Sequence, residues 1–82
     1  MKKNIIYCSD GCPFCQAAYK LLENEGIAFQ KKYIKNQNDW DEVMEKTGKS
    51  TVPQIFLNGK YIGGFDDLSE AQFSGELAEI LK

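Results

Sequence analysis

The stretch Cys12-Pro13-Phe14-Cys15, standing directly after the apolar run Ile5-Ile6-Tyr7, constrains this chain more than any other feature. Two thiols two residues apart either close a small disulfide ring or hold a soft metal together, and the residues around them separate the two. Proline lacks a backbone N–H and fixes φ near the helical value, so Pro13 suits the first position of a helix. From Phe14 onward Ala17, Ala18, Leu21 and Leu22 recur at helical spacing. Cys12 is therefore expected where a strand ends and a helix begins. There the free N–H groups and the positive end of the helix dipole favour the thiolate, the reactive form of cysteine.

Zinc ribbons and fingers need a second ligand pair, but the third cysteine, Cys8, stands alone and the chain contains no histidine. Without histidine the Cys–His arrangement of hydrolytic nucleophiles is also missing. Thiol exchange survives, because it needs only a thiolate and a disulfide. An odd count of cysteines gathered near the N-terminus is unlike a secreted disulfide scaffold. The 82 residues suit one domain spanning positions 1–82. A net charge of −2 with mixed signs gives no footprint for nucleic acid. The apolar runs are too short to span a membrane, and the N-terminus leads straight into a strand, so a cytoplasmic location is expected.

The pattern predicts a strand over residues 3–7 and a helix over 13–25 stopped by Gly26. A second strand comes within 27–34. Next is a helix capped by Asn38 or Asp39, with Trp40, Val43, Met44 and Thr47 on its apolar face. Strands at Gln54–Leu57 and Tyr61–Gly63 flank Asn58-Gly59, a strong hairpin dipeptide. Asp67 with Glu70 matches a capping box for a last helical region that Gly75 interrupts. A β-α-β crossover followed by a hairpin gives an α/β fold, a four-stranded mixed sheet flanked by helices.

With its Cys-Pro-Phe-Cys motif at the first strand–helix junction, the chain resembles a dithiol glutaredoxin of the thioredoxin-fold superfamily. Two further motifs match in order along nearly the whole chain. Thr51-Val52-Pro53 stands where the thioredoxin fold carries a cis-proline beside the active cysteines. Gly63-Gly64-Phe65-Asp66-Asp67 resembles the family's Gly-Gly-x-x-Asp stretch, which receives the γ-glutamyl end of glutathione. The resemblance implies a glutathione-dependent reductase of protein disulfides and glutathionylated proteins, with Cys12 as nucleophile and Cys15 as resolving thiol. Glutathione serves as co-substrate, with no permanently bound cofactor or metal. The implied glutathione contacts are Phe14, Thr51, Val52, Pro53, Gly64, Phe65, Asp66 and Asp67.

The residues fit that chemistry. The residue before a proline is held extended, so Val52 can pair through its backbone with an extended peptide such as glutathione. The free N–H groups at the start of the last helix suit a carboxylate, and an aspartate there attracts an ammonium group. The chain departs from the family at Ser9, where many members carry a lysine, and at Trp40, where Gln or Arg is common. Lys35, Gln37 or Lys49 are the available substitutes for these contacts. Cys8 reads as a small buried hydrophobe or as a third redox thiol, and Trp40 as a packing residue. Two other readings are a redoxin served by a flavoprotein reductase and a [2Fe–2S] carrier. The first usually carries Trp-Cys-Gly-Pro-Cys on a longer chain, and relatives of the second tend to have Gly or Ser where Pro13 stands. A monomer is expected, with ribonucleotide reductase as a family-level partner.

Overall fold

The structure is a computed structural model and describes residues 3–81. Its elements run β1 (Ile5–Cys8), α1 (Pro13–Asn24), β2 (Gln30–Tyr33), α2 (Gln37–Thr47), β3 (Gln54–Leu57), β4 (Lys60–Gly63), α3 (Phe65–Ser74) and α4 (Glu76–Ile80). The strands form one sheet in the order β2-β1-β3-β4. β1 pairs parallel with β2 and antiparallel with β3, and β3 pairs antiparallel with β4. The mixed four-stranded sheet flanked by helices expected from the sequence is the architecture found: a thioredoxin-like α/β fold.

Side chains alternate across a strand, and this sheet uses both faces. Ile6 and Cys8 of β1 with Ile55 and Leu57 of β3 meet Cys15, Ala18, Tyr19 and Leu22 of α1 and Leu68 and Ala71 of α3, all buried. Tyr7 alternates with Ile6 and Cys8, so it belongs to the other face, where its hydroxyl donates to Glu42 Oε2 of α2 (3.1 Å). That face carries an aromatic row across three strands. The rings of Tyr7 and Phe56 stand 5.8 Å apart and those of Phe56 and Tyr61 5.1 Å apart.

The ends of α1 obey local rules. Pro13 occupies its first turn and Cys12 caps it. At the other end Gly26 takes φ 72°, while Ile27 N–H reaches Leu22 O (2.9 Å) and Gly26 N–H reaches Glu23 O (3.0 Å). This is the Schellman closure, with Ile27 folding back onto the core. Asn58 and Gly59 both adopt positive φ (55° and 81°), as a two-residue hairpin turn of the right twist demands.

Five local expectations need correction. β1 covers Ile5–Cys8 and not 3–7, beginning two residues later than predicted and ending at Cys8. β2 is shorter than 27–34 because Ile27 and Phe29 turn into the core before the pairing begins. What remains, Gln30-Lys31-Lys32-Tyr33, is exposed throughout, and its lysines suit a sheet edge. α2 is capped by Asn36, whose side chain accepts the Asp39 N–H (3.0 Å), not by Asn38 or Asp39. The Asp39 carboxylate is instead occupied by the Lys35 N–H (2.9 Å). Of the expected apolar face of α2, Val43 is buried but Met44 is exposed. The helix meets the sheet partly through polar contacts, with Lys46 Nζ and Glu42 Oε2 on the Tyr7 hydroxyl. Finally, α3 begins at Phe65 with Gly64 at its cap, so Asp67 supplies the return half of the box to the Gly64 N–H (3.1 Å). Asp67 does not itself cap the helix, and Glu70 lies one turn too late for the predicted pairing. Gly75 ends α3 at φ 84°, as the sequence implied. Among the described residues no helix is long and apolar enough to cross a membrane.

Candidate active site

The parallel pairing of β1 with β2 sends the chain out of the sheet at Cys8, and the turn after it delivers Cys12 to the start of α1. Cys12 has an extended backbone (φ −98°, ψ 106°), and its Sγ accepts the Cys15 N–H at 3.3 Å. A backbone donor aimed at the sulfur stabilises negative charge on it. Across the site, Cys12 Sγ lies 3.8 Å from Val52 O. Cys12 is half-buried, while Cys15, one turn into the helix, is 1% exposed. Burial and the neighbouring Cys12 sulfur push the Cys15 thiol up to about 12. The pair is thus asymmetric: one sulfur is reachable and met by an N–H, and the other is sealed and holds its proton.

Cys8 is fully buried beneath the pair. Burial also pushes this thiol up, against the opposing hydrogen bond with Tyr19. Its S–H is directed at Lys32 O (3.9 Å). These surroundings are those of the buried hydrophobe reading. Among the described residues no group of three or more His, Cys, Asp or Glu is arranged to hold a metal ion.

Beside Cys12 runs an open groove with three walls. Phe14 of α1 forms one, its ring 60% exposed and 6.2 Å from the Phe65 ring. Thr51, Val52 and Pro53 form the second as they enter β3, and the Val52–Pro53 peptide bond is cis. Gly64, Phe65, Asp66 and Asp67 at the start of α3 form the third. All eight non-cysteine residues singled out from the sequence therefore converge on one groove. Of the three cationic or amide substitutes, Lys49 lines it, whereas Gln37 donates to Asp41 Oδ1 (3.0 Å) on α2. Trp40 is half-buried on α2.

The two glycines differ. Gly63 has φ 121°, and a Cβ there would fall on the Asp67 carboxylate, so the fold itself requires glycine. Gly64 has φ −89°, and a Cβ there would stand 3.6 Å from Pro53 O, an ordinary contact. The backbone at 64 therefore does not itself require glycine, and Gly64 lines the groove.

Gln54 is the groove residue that sequence reasoning passed over as a plain strand start. It is 2% exposed, the one buried polar residue among those described. The signal was present in the sequence, as an amide heading the otherwise apolar strand Ile55-Phe56-Leu57 directly after Pro53.

Residues 4–62 match the sequence model of the family described as Glutaredoxin. The chain belongs to the glutaredoxin family. It is 40% identical over 78 residues to Glutaredoxin 3 of Escherichia coli strain K12, covering 94% of each chain. It is 37% identical over 81 residues to Glutaredoxin-C6 of Oryza sativa subsp. japonica, covering 94% of this chain and 72% of that one. Among solved structures, the glutaredoxin of Brucella melitensis superposes with a TM-score of 0.86 at 36% identity, over 100% of this chain and 90% of the other. A buckwheat glutaredoxin–glutathione complex superposes with a TM-score of 0.87 at 27% identity, over 98% and 76%. As a glutaredoxin the protein is a thiol–disulfide oxidoreductase.

Proposed function

We propose that the protein reduces protein disulfides and glutathione mixed disulfides with glutathione as the electron source. The observation that carries this is the asymmetry of the two thiols at the groove: Cys12 reachable and met by an N–H, Cys15 sealed behind it. With a glutathionylated protein, the Cys12 thiolate attacks the glutathione sulfur and the protein thiolate leaves. A second glutathione thiolate then attacks the Cys12 mixed disulfide, releasing oxidised glutathione and restoring Cys12. With a protein disulfide, Cys12 forms a mixed disulfide and one substrate thiolate leaves. Cys15 gives up its proton and attacks the Cys12 sulfur, the second substrate thiolate leaves, and the Cys12–Cys15 disulfide closes. Two glutathione molecules, oxidised together to their disulfide, return the pair to the dithiol.

The polarity of the groove supports glutathione as the occupant. Lys49 lies in the same wall as Val52, and the opposite wall opens with Asp66 and Asp67 at the N-terminus of α3. Glutathione carries a glycine carboxylate at one end and a carboxylate with an ammonium group at the other. Lys49 suits the first, while the N–H groups of α3 and the Asp66 carboxylate suit the second. The Val52 backbone, in the same groove and near Cys12 Sγ, suits strand-like pairing with the cysteinyl residue.

The test is turnover of a glutathionylated peptide with two alternative electron sources, glutathione with its reductase or thioredoxin reductase alone. Turnover with the first source only is expected. Turnover with thioredoxin reductase alone, and none with glutathione, sinks the proposal.

A further inference from the structure

Gln54 and Tyr61 are not needed to make the thiols reactive, yet they form a directed chain that ends on the groove. Gln54 Nε2 donates both to Thr51 O and to Thr51 Oγ1, each at 3.0 Å. A backbone carbonyl can only accept, so the amide must present its nitrogen to Thr51 and its oxygen to the opposite side. There the Tyr61 hydroxyl donates to Gln54 Oε1 at 2.6 Å. Each polar atom of the buried amide is thereby used, and its orientation is fixed from both ends. Tyr61 in turn rests its ring on Phe56, which meets Tyr7. The Tyr7 hydroxyl is held by Glu42 and Lys46 of α2.

We infer that Gln54 and Tyr61 are positioning residues that hold Thr51 and Val52 at the spacing a substrate peptide needs beside Cys12. The strip from Thr51 to Pro53 enters β3 from a loop, and the backbone of Thr51 is tied to the sheet through Gln54. A Gln54 amide free to turn would let Thr51 swing, and Val52 with it, while Cys12 keeps its own N–H from α1. The brace therefore acts on substrate binding and not on the sulfur. Tyr61 is the informative handle, because it does not line the groove and acts on it only through Gln54.

This inference deepens the glutathione reading and rests on it for its kinetic readout, so the experiment carries a second readout that does not. Tyr61→Phe keeps the ring against Phe56 and removes only the hydroxyl. KM and kcat for a glutathionylated peptide are measured on wild type and variant, together with backbone amide order parameters by NMR relaxation and thermal unfolding. Losing one partly buried hydrogen bond corresponds to a KM rise of roughly three- to tenfold with kcat held within about twofold. Order parameters at Thr51 and Val52 should fall while those of β1 and α1 do not change. Gln54→Met, which keeps the length of the side chain and removes its polar atoms, should move both readouts in the same direction and further. If KM and the local order parameters are unaffected in Tyr61→Phe, or if order falls evenly across the sheet, the brace is overturned. If local order falls but the wild type shows no glutathione-linked turnover, the brace stands and the proposed function falls.

Discussion

The neighbouring glycines Gly63 and Gly64 allow stability and binding to be separated by one methyl group placed at either position. In Gly63→Ala the new Cβ meets the Asp67 carboxylate, in a backbone held at φ 121°. A non-glycine residue in such a region costs about 1–3 kcal/mol. To make room Asp67 must turn away, which breaks its bond to the Gly64 N–H at the start of α3. Loss of a helix-capping interaction adds about 0.5–2 kcal/mol. The entropy that alanine removes from the unfolded chain returns about 0.4–1 kcal/mol. The net cost is about 0.5–4.6 kcal/mol, and at about 4–8 °C per kcal/mol for a chain of this size Tm should fall by roughly 2–37 °C. In Gly64→Ala the backbone is already in a region open to alanine, and the nearest contact is an ordinary 3.6 Å to Pro53 O. The weaker cap and the stiffer unfolded chain then nearly cancel, leaving Tm within about 4 °C of wild type. The methyl does enter the groove, so KM for a glutathionylated peptide should rise several-fold. Calorimetry and steady-state kinetics on the two variants decide the matter. Equal Tm losses in both, or a Gly63→Ala protein as stable as wild type, would refute the reasoning.

The same geometry sets other outcomes. Cys12→Ser should abolish reduction of both substrate classes, because a serine hydroxyl neither ionises near neutral pH nor forms a disulfide. Cys15→Ser should lose protein-disulfide reduction but keep much of the turnover of glutathione mixed disulfides, and equal loss of both would exclude the one-thiol route. Lys49→Gln should raise KM for glutathione roughly two- to fivefold at low ionic strength, the scale of an exposed charge contact, and less in high salt. A salt-independent change would show that charge is not its contribution. Burial raises the Cys15 and Cys8 thiols and the Tyr19 phenol above their ordinary values. The folded state then keeps protons that the unfolded chain releases from the ordinary thiol value of 9.0 upward, and up to about 12 for Cys15. The unfolded state binds fewer protons in that window, so stability of the reduced protein should fall as pH rises through it. Urea midpoints at about pH 7.5 and about pH 10.5 check the sign, and Cys8→Ala should flatten the slope. A midpoint that rises with pH would contradict the buried-thiol assignment.

Local chemistry was legible in the chain. Pro13 after Cys12 set where α1 begins, Gly26 set where it ends, and Asn58-Gly59 set the hairpin, because each choice depends on φ preferences and free N–H groups within a few residues. The placing of Cys12 at a helix start, where free N–H groups favour a thiolate, was readable for the same reason. The caps of α2 and α3 were misplaced because several acidic and amide residues compete there, and the neighbouring backbone decides among them. Asn36 won over Asn38, and Asp67 turned back to Gly64. Resemblance to a family pointed to the groove residues, but no local rule could bring Val52 within reach of Cys12, a pair 40 positions apart. That contact arises from the sheet order, which inserts β1 between β2 and β3 and so sets the loop before β3 beside the start of α1. The burial of Cys8, the sealing of Cys15 and the hidden brace of Gln54 are likewise products of packing. A side chain's solvent exposure and partners depend on which strands and helices close over it, and those lie far away along the chain.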